Sequence, residues 1–295
     1  MKGRRDMRVG FIGLGSQGAP MARRIVRAGY ETMLWARRSA TLASFADTAA
    51  KTAGSPAELA AACDVVCLCV VDDADVEQLT TGADGVLAGM RAGGVIVVHS
   101  TVHPETCRRL EDRARIQRVS VLDAPVSGGG RAAEQGTLLV MAGGDPQVFA
   151  FCRPLFATYG DPVVHLGPVG SGQVAKLLNN VLFTAQLGLA ADALELGGQL
   201  GLDTEGLGRI LPRGSAASFA LERVVDAGGT LARIAAHAGG LLAKDVRLLA
   251  DVADNADTSD IADTPSLTES AAPHGERRPR PVREAARSAL DAMGL

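Results

Sequence analysis

The chain has 295 residues, 47% of them hydrophobic and 21% charged, a composition that folds around one large core or two smaller ones and excludes disorder throughout. Thirty basic against 33 acidic residues leave a formal net charge of -3, which gives no electrostatic footprint for binding nucleic acid. Asp64, Gln186, Asp192 and Glu195 interrupt the apolar segments before they reach the ~18 residues of a membrane span, and the charged start leads into a strand-like run in place of a signal-peptide core, so the expectation is a cytoplasmic protein with no membrane partner.

The first strand-like run, residues 9–12, passes through Gly13-Leu14-Gly15-Ser16-Gln17-Gly18 into a helical pattern over residues 19–28. In a G-x-G-x-x-G turn between strand and helix, the first glycine permits the tight turn and the second admits a pyrophosphate. The third allows close packing of helix on strand, and the helix N-terminus offers free N–H groups. Phe11, Gly13, Leu14, Gly15, Ser16, Gln17 and Gly18 are therefore candidate cofactor-binding residues. The second strand, residues 32–35, ends where an acid would hold the ribose 2′-hydroxyl of NAD, ~20 residues beyond the glycines. Arg37, Arg38 and Ser39 stand there instead, and guanidinium groups suit a 2′-phosphate. The expected cofactor is NADP(H) in preference, with NAD(H) second.

Helical patterns at 40–47 and 56–62 and strand-like runs at 65–71, 94–99, 120–124, 138–142 and 162–166 continue the alternation. Such alternation predicts βαβ units and a mostly parallel sheet covered on both faces. The cysteines, Cys63, Cys67, Cys69, Cys107 and Cys152, are odd in number, and Cys67 and Cys69 are spaced for one face of a strand, not for a C-x-x-C site. The reading is a reducing compartment. The histidines, His99, His103, His165, His237 and His274, show no paired metal spacing, so no metal is expected. Ser127, Gly128 and Gly129 follow a strand end, where a hydroxyl and exposed N–H groups suit a carboxylate.

Residues 173–200 read as one long, mostly apolar helix, which must be buried against other elements or another subunit. An all-helical second half is expected to wrap it, within a homodimer or homotetramer. Lys176 and Asn180 are four apart and share one face of this helix. A lysine on such a helix is costly to bury, and a pKa lowered by burial suits proton exchange with a carbonyl oxygen. A break is expected at 212–218, followed by helices at 221–236 and 239–253. Beyond Ala253, Asp254, Asp257, Asp260 and Asp263 precede Arg277, Arg278, Arg280, Arg283 and Arg287, with few large apolar residues, the composition of a solvated, disordered tail. The fold class is an α/β Rossmann domain followed by an all-α domain joined by the long helix. The expected domains are residues 1–169 for NADP, 170–253 for substrate and dimerisation, and 254–295 as an atypical tail.

Four segments occur in one order: G-F-I-G-L-G-S-Q-G-A-P-M-A from Gly10, D-A-P-V-S-G-G from Asp123, G-x-x-G-x-G-x-x-x-K-x-x-x-N from Gly167 to Asn180, and Lys244-Asp245. Over residues 8 to about 250 the chain strongly resembles the β-hydroxyacid dehydrogenase family, which includes 3-hydroxyisobutyrate dehydrogenase, tartronate semialdehyde reductase and the glyoxylate and succinic semialdehyde reductases. The resemblance implies reversible hydride transfer between NADP(H) and a small β-hydroxy acid or its semialdehyde. It implies Lys176 as the catalytic acid/base, Asn180 as a substrate ligand, and Ser127, Gly128 and Gly129 as the site of the substrate carboxylate. It also places Val70, Val71, Thr101 and Lys244 near the cofactor, and substrate selectivity around Ser218 and Phe219. The chain departs from the family pattern at Gln17, where a methionine is usual, at Val98, where an aspartate is frequent, and after Ala253, where apolar closing helices are expected. Imine reductases share the architecture but commonly lack the lysine. Phosphogluconate dehydrogenases carry a His-Asn pair after it, whereas Leu177-Leu178-Asn179-Asn180 follows here. A cofactor-binding protein without turnover is the reading from another class.

Overall fold

Strands buried on both faces need apolar side chains at every position, not at alternate ones, and the apolar runs of the first half form such strands. The computed structural model describes residues 7–256 and 281–295. Its first half runs β1 (Arg8–Ile12), α1 (Gly18–Arg27), β2 (Glu31–Trp35), β3 (Lys51–Thr52), α2 (Pro56–Ala62), β4 (Val65–Leu68), α3 (Asp73–Thr81), α4 (Val86–Gly89), β5 (Val95–Val98) and α5 (Pro104–Ile116). It continues with β6 (Ser120–Asp123), β7 (Val126–Ser127), α6 (Gly129–Gln135), β8 (Leu138–Gly144), α7 (Pro146–Phe156) and β9 (Gly160–His165). The second half comprises α8 (Ser171–Gln199), α9 (Thr204–Ile210), α10 (Phe219–Asp226), α11 (Ala232–Ala256) and α12 (Pro281–Ala292). The chain divides into two compact units, Met1–Lys176 and Leu177–Leu295.

In the first unit the sheet order is β3-β2-β1-β4-β5-β6-β8-β7, with β9 paired to β8. From β3 to β6 every pairing is parallel, in the strand order of doubly wound dinucleotide-binding sheets, with the switch point between β1 and β4. β8 runs antiparallel to β6 and β7 and parallel to β9, so β3 and β9 are the two edges. Alternate residues feed two cores. Phe11, Cys67, Val97 and Leu122 point to one face of the sheet, and Ile12, Leu68, Val98 and Val121 to the other. Val98, a departure from the family pattern, is fully buried there. The expected helix at 40–47 is a 3-10 turn over Ser39–Phe45.

His99, just past β5, is buried among Phe11, Phe156 and Tyr159. Its Nδ1–H donates to the Ala124 carbonyl at 2.7 Å, which leaves Nε2 to accept from the Tyr159 hydroxyl at 3.1 Å. Burial pushes its pKa down to about 4, so the ring is neutral.

The core of the second unit lies along α8, from Leu177, Val181, Ala185, Leu187 and Leu194 to residues of α10, α11 and α12. By length and composition alone α8 would pass for a membrane span, with a mean hydropathy of 1.2 over its most apolar stretch; one side of the helix forms this core, while Leu178, Leu182, Leu189 and Leu196 are exposed. Two expectations are corrected. The helix expected at 221–236 is two helices, because Gly228 and Gly229 both take positive φ, at 87° and 80°, a region helices do not use; the helix expected at 239–253 is the continuation of α11. The tail expected to be solvated contains α12, which packs Ala286, Ala289 and Leu290 inward, while Arg283 lies 3.5 Å from Asp254. The remainder of that expectation, residues 257–280, falls outside the described residues.

Leu290→Ala should cost about 3 kcal/mol and lower Tm, whereas a solvated tail would leave Tm unchanged. The unfolded chain protonates His99 below about pH 6.5 and the folded chain only below about 4. Stability should therefore fall by up to about 3 kcal/mol as pH drops through that window. Urea titrations of His99→Gln across the same range should show a shallower slope.

Candidate active site

Doubly wound sheets bind ligands outside the carboxyl ends of their strands at the switch point, and the glycine turn lies there, after β1. Gly13 has φ 95°, and a side chain on it would collide with the Cys69 carbonyl; a side chain on Gly18 would collide with the Gly13 carbonyl. Gly15 is different: it is exposed, and a Cβ there would meet no atom within 4 Å. The first and last glycines are thus required by the protein's own backbone, while the middle one faces open space. The Phe11 and Leu14 side chains point into the core, at 0% and 7% exposure, so what these two residues can offer a cofactor is their backbone. Ser16 is exposed and Gln17 half-buried at the start of α1.

Arg37, Arg38 and Ser39 are exposed beyond β2. The Arg37 guanidinium is held by Asp75 of α3 at 2.5 Å. Val70 donates its N–H to the Ser100 hydroxyl at 2.8 Å, Val71 is largely exposed, and Thr101 is half-buried in the next loop. Ser127 is half-buried and Gly128 and Gly129 are exposed between β7 and α6. Gly130 comes so close to the Ser16 carbonyl that a Cβ would lie 2.8 Å from it, which sets the Ser127–Gly129 loop beside the glycine turn.

The start of α8 is built on Asp123, at the end of β6. This fully buried carboxylate accepts from the N–H of Gly170 at 2.7 Å and of Gln173 at 2.8 Å. Burial pushes the Asp123 pKa up, and hydrogen bonds from the N–H groups of Gly170, Gln173 and Gly172 oppose it. Gly172 is obligatory here, since a side chain would strike the Met141 carbonyl and the carboxylate. Lys176 follows one turn later, buried at 9% exposure.

In the second unit, Asn180 of α8 donates to Asp245 Oδ2 of α11 at 2.5 Å and accepts from Asn179 at 2.9 Å. Lys244 Nζ lies 3.4 Å from Asp245 Oδ1. Asp245 is buried, so one carboxylate orients both the Asn180 amide and Lys244. Ser218 caps α10 through the N–H of Leu221 at 3.1 Å. Phe219 is exposed, 5.8 Å from the Phe183 ring, with the Arg223 guanidinium 5.3 Å above it. Asp75, Asp123, Gln173 and Asp245 were given no role from sequence, although the D-A-P and K-D motifs contain two of them.

Residues 8–167 match the model described as the NAD binding domain of 6-phosphogluconate dehydrogenase, and residues 170–272 match the NAD-binding model of NADP-dependent 3-hydroxyisobutyrate dehydrogenase. The chain is 35% identical to the NAD-dependent L-serine dehydrogenase of Pseudomonas aeruginosa, over 83% of this chain and 85% of that one. It belongs to the β-hydroxyacid dehydrogenase family. Within that family it is also 33% identical to 2-(hydroxymethyl)glutarate dehydrogenase of Eubacterium barkeri, over 74% and 72% of the two chains. The 3-hydroxyisobutyrate dehydrogenase of Mycobacterium tuberculosis, solved with L-serine, superposes with a TM-score of 0.76 at 26% identity, covering 86% of this chain and 89% of that one.

As a β-hydroxyacid dehydrogenase, the protein is an oxidoreductase that acts on a small molecule with a nicotinamide cofactor. The open face of Gly15, the exposed Arg37 and Arg38 and the adjoining strand ends fit such a dinucleotide. Among the described residues, no three His, Cys, Asp or Glu side chains are grouped to hold a metal ion. Gly15→Ala should leave Tm within a degree or two of wild type, yet weaken cofactor binding about tenfold or more, because the added methyl occupies the ligand's space. Gly13→Ala should lower Tm itself, by its positive φ and its clash. Thermal melts and nicotinamide fluorescence titrations separate the two effects.

Proposed function

We propose that the protein reversibly oxidises a small β-hydroxy acid to its semialdehyde, with NADP(H) as preferred cofactor, NAD(H) as the weaker one, and Lys176 as general acid/base. The observation that carries this reading is a buried lysine one turn beyond a helix start fixed by a buried carboxylate. When bound, the nicotinamide takes the hydride from the carbinol carbon or returns it to the carbonyl. Lys176, as the amine, accepts the hydroxyl proton during oxidation; as the ammonium, it donates that proton to the carbonyl oxygen during reduction. Ser127 and the N–H groups of Gly128 and Gly129 bind the substrate carboxylate, which needs no fixed positive charge when a hydroxyl and main-chain donors converge. Asn180 holds the substrate with the N–H that Asp245 leaves over.

The Gly13–Gly18 turn binds the pyrophosphate, and Val70, Val71, Thr101 and Lys244 flank the cofactor. Arg37 and Arg38 bind the 2′-phosphate, with the Arg37 guanidinium shared between that phosphate and Asp75. NAD(H), named for the Pseudomonas relative, is the rival that these arginines argue against. Residues 1–169 form the nucleotide domain and 170–253 the substrate and association domain. Leu178, Leu182, Leu189 and Leu196 are exposed along α8, three of them seven residues apart, and this stripe supports a homodimer or homotetramer. The protein works in the cytoplasm, where its five free cysteines stay reduced.

The test is turnover with NADPH and NADH on glyoxylate, succinic, tartronate and methylmalonate semialdehydes, and with NADP+ on L-serine and 3-hydroxyisobutyrate. Lys176→Met should lower kcat roughly 100- to 10 000-fold while the cofactor Kd is kept. Arg37→Ala should lower kcat/KM about tenfold for NADPH and leave NADH unchanged. A variant at Lys176 that turns over normally, or NADH as the better cofactor throughout, would overturn the corresponding part of the reading.

A further inference from the structure

Gln173 is fully buried in the first turn of α8, and none of the roles above involves its side chain. Its Nε2 donates to the Ser100 carbonyl at 2.8 Å, and its Oε1 accepts from the Val102 N–H at 3.1 Å. The amide therefore clasps the main chain on both sides of Thr101. Its own N–H is held by Asp123 Oδ2 at 2.8 Å, and the Ser100 hydroxyl accepts from the Val70 N–H at 2.8 Å. One run of hydrogen bonds thus joins the end of β4, the loop after β5, the end of β6 and the first turn of α8. Lys176 lies three residues beyond Gln173, on the same side of the helix.

We propose that Gln173 is a positioning residue, whose side-chain amide locks the Thr101 loop in register with the helical turn that carries Lys176. This inference rests on the cofactor and acid/base roles assigned to Thr101 and Lys176. Glutamine is suited to the task because it supplies a donor and an acceptor from one planar group. Without it, the Ser100 carbonyl and Val102 N–H would be buried and unsatisfied, and the loop would have to move to find partners. A displacement of ~1 Å between reacting groups costs on the order of 100-fold in rate, whereas the pyrophosphate turn, on another loop, would be untouched.

The experiment compares wild type with Gln173→Met, which keeps the bulk and removes both hydrogen bonds, and Gln173→Glu, which keeps the acceptor and loses the donor. Lys176→Met is measured in parallel. Hydrogen exchange of the peptide covering 99–106 should speed up in both Gln173 variants, while the peptide covering 9–18 keeps wild-type protection. NADPH Kd should rise by less than kcat falls, because the pyrophosphate turn keeps its hold. kcat should fall about tenfold or more, with a larger primary isotope effect from deuterated NADPH as the chemical step becomes limiting. A kcat per folded enzyme within about twofold of wild type, a loss carried by Kd alone, or exchange accelerated equally across residues 7–176 would overturn the proposal and leave Gln173 a structural residue. A silent Lys176→Met beside a fully active Gln173→Met defeats this inference alone. An active Lys176→Met defeats the acid/base reading, while the exchange data still judge the clasp.

Discussion

The carboxylate of Asp123 sits with no exposure to solvent at the N-terminus of the longest helix, and the geometry of the first unit's site is referred to it. An isolated buried carboxylate is strongly disfavoured. Here main-chain N–H groups of Gly170 and Gln173 point at its two oxygens, in the region where the helix dipole favours negative charge. Moving the helix start by one residue would exchange these donors for others pointing elsewhere and strand the charge. The carboxylate therefore sets the register of α8 as well as its position, and with it the height of Lys176 above the strand ends.

Packing of this kind explains why glycine recurs at the site for different reasons. Gly13, Gly18 and Gly172 exist because the protein's own backbone fills the space a side chain would need, whereas the space beside Gly15 is left open. A motif written as G-x-G-x-x-G does not distinguish these roles. The surrounding atoms do, and they separate the glycines that shape the turn from the one that faces a ligand.

Much of the first half was legible because its evidence is local: strands buried on both faces are continuous apolar runs, and the glycine turn follows the first of them. The sequence is a poorer guide where the deciding contact is distant or small. The helix expected at 221–236 kept its apolar pattern across Gly228 and Gly229, and the pattern outweighed the two glycines. α12 is hard to see in the sequence because its inward face is mostly alanine, at 286 and 289, and small side chains fitted against a neighbouring helix leave no strong apolar pattern. Asp123 and Asp245 stood inside recognised motifs but carried no role, since the groups they hold lie 47 and 65 residues away in the chain. The phosphate-suited Arg37 was visible from its position after β2, but its tether at Asp75, 38 residues on, was not.

The two edge strands are short or interrupted in ways that bear on how copies of the chain meet. β3 offers only two residues, Lys51 and Thr52, both exposed, with Lys51 engaged by Glu31 at 2.9 Å. β9 presents exposed Asp161 and Pro162 where its register with β8 shifts, and proline has no N–H to offer an incoming strand. Neither edge is a template for strand addition. Charge on β3 and a missing donor on β9 thus guard the sheet against edge-to-edge growth between copies of the chain.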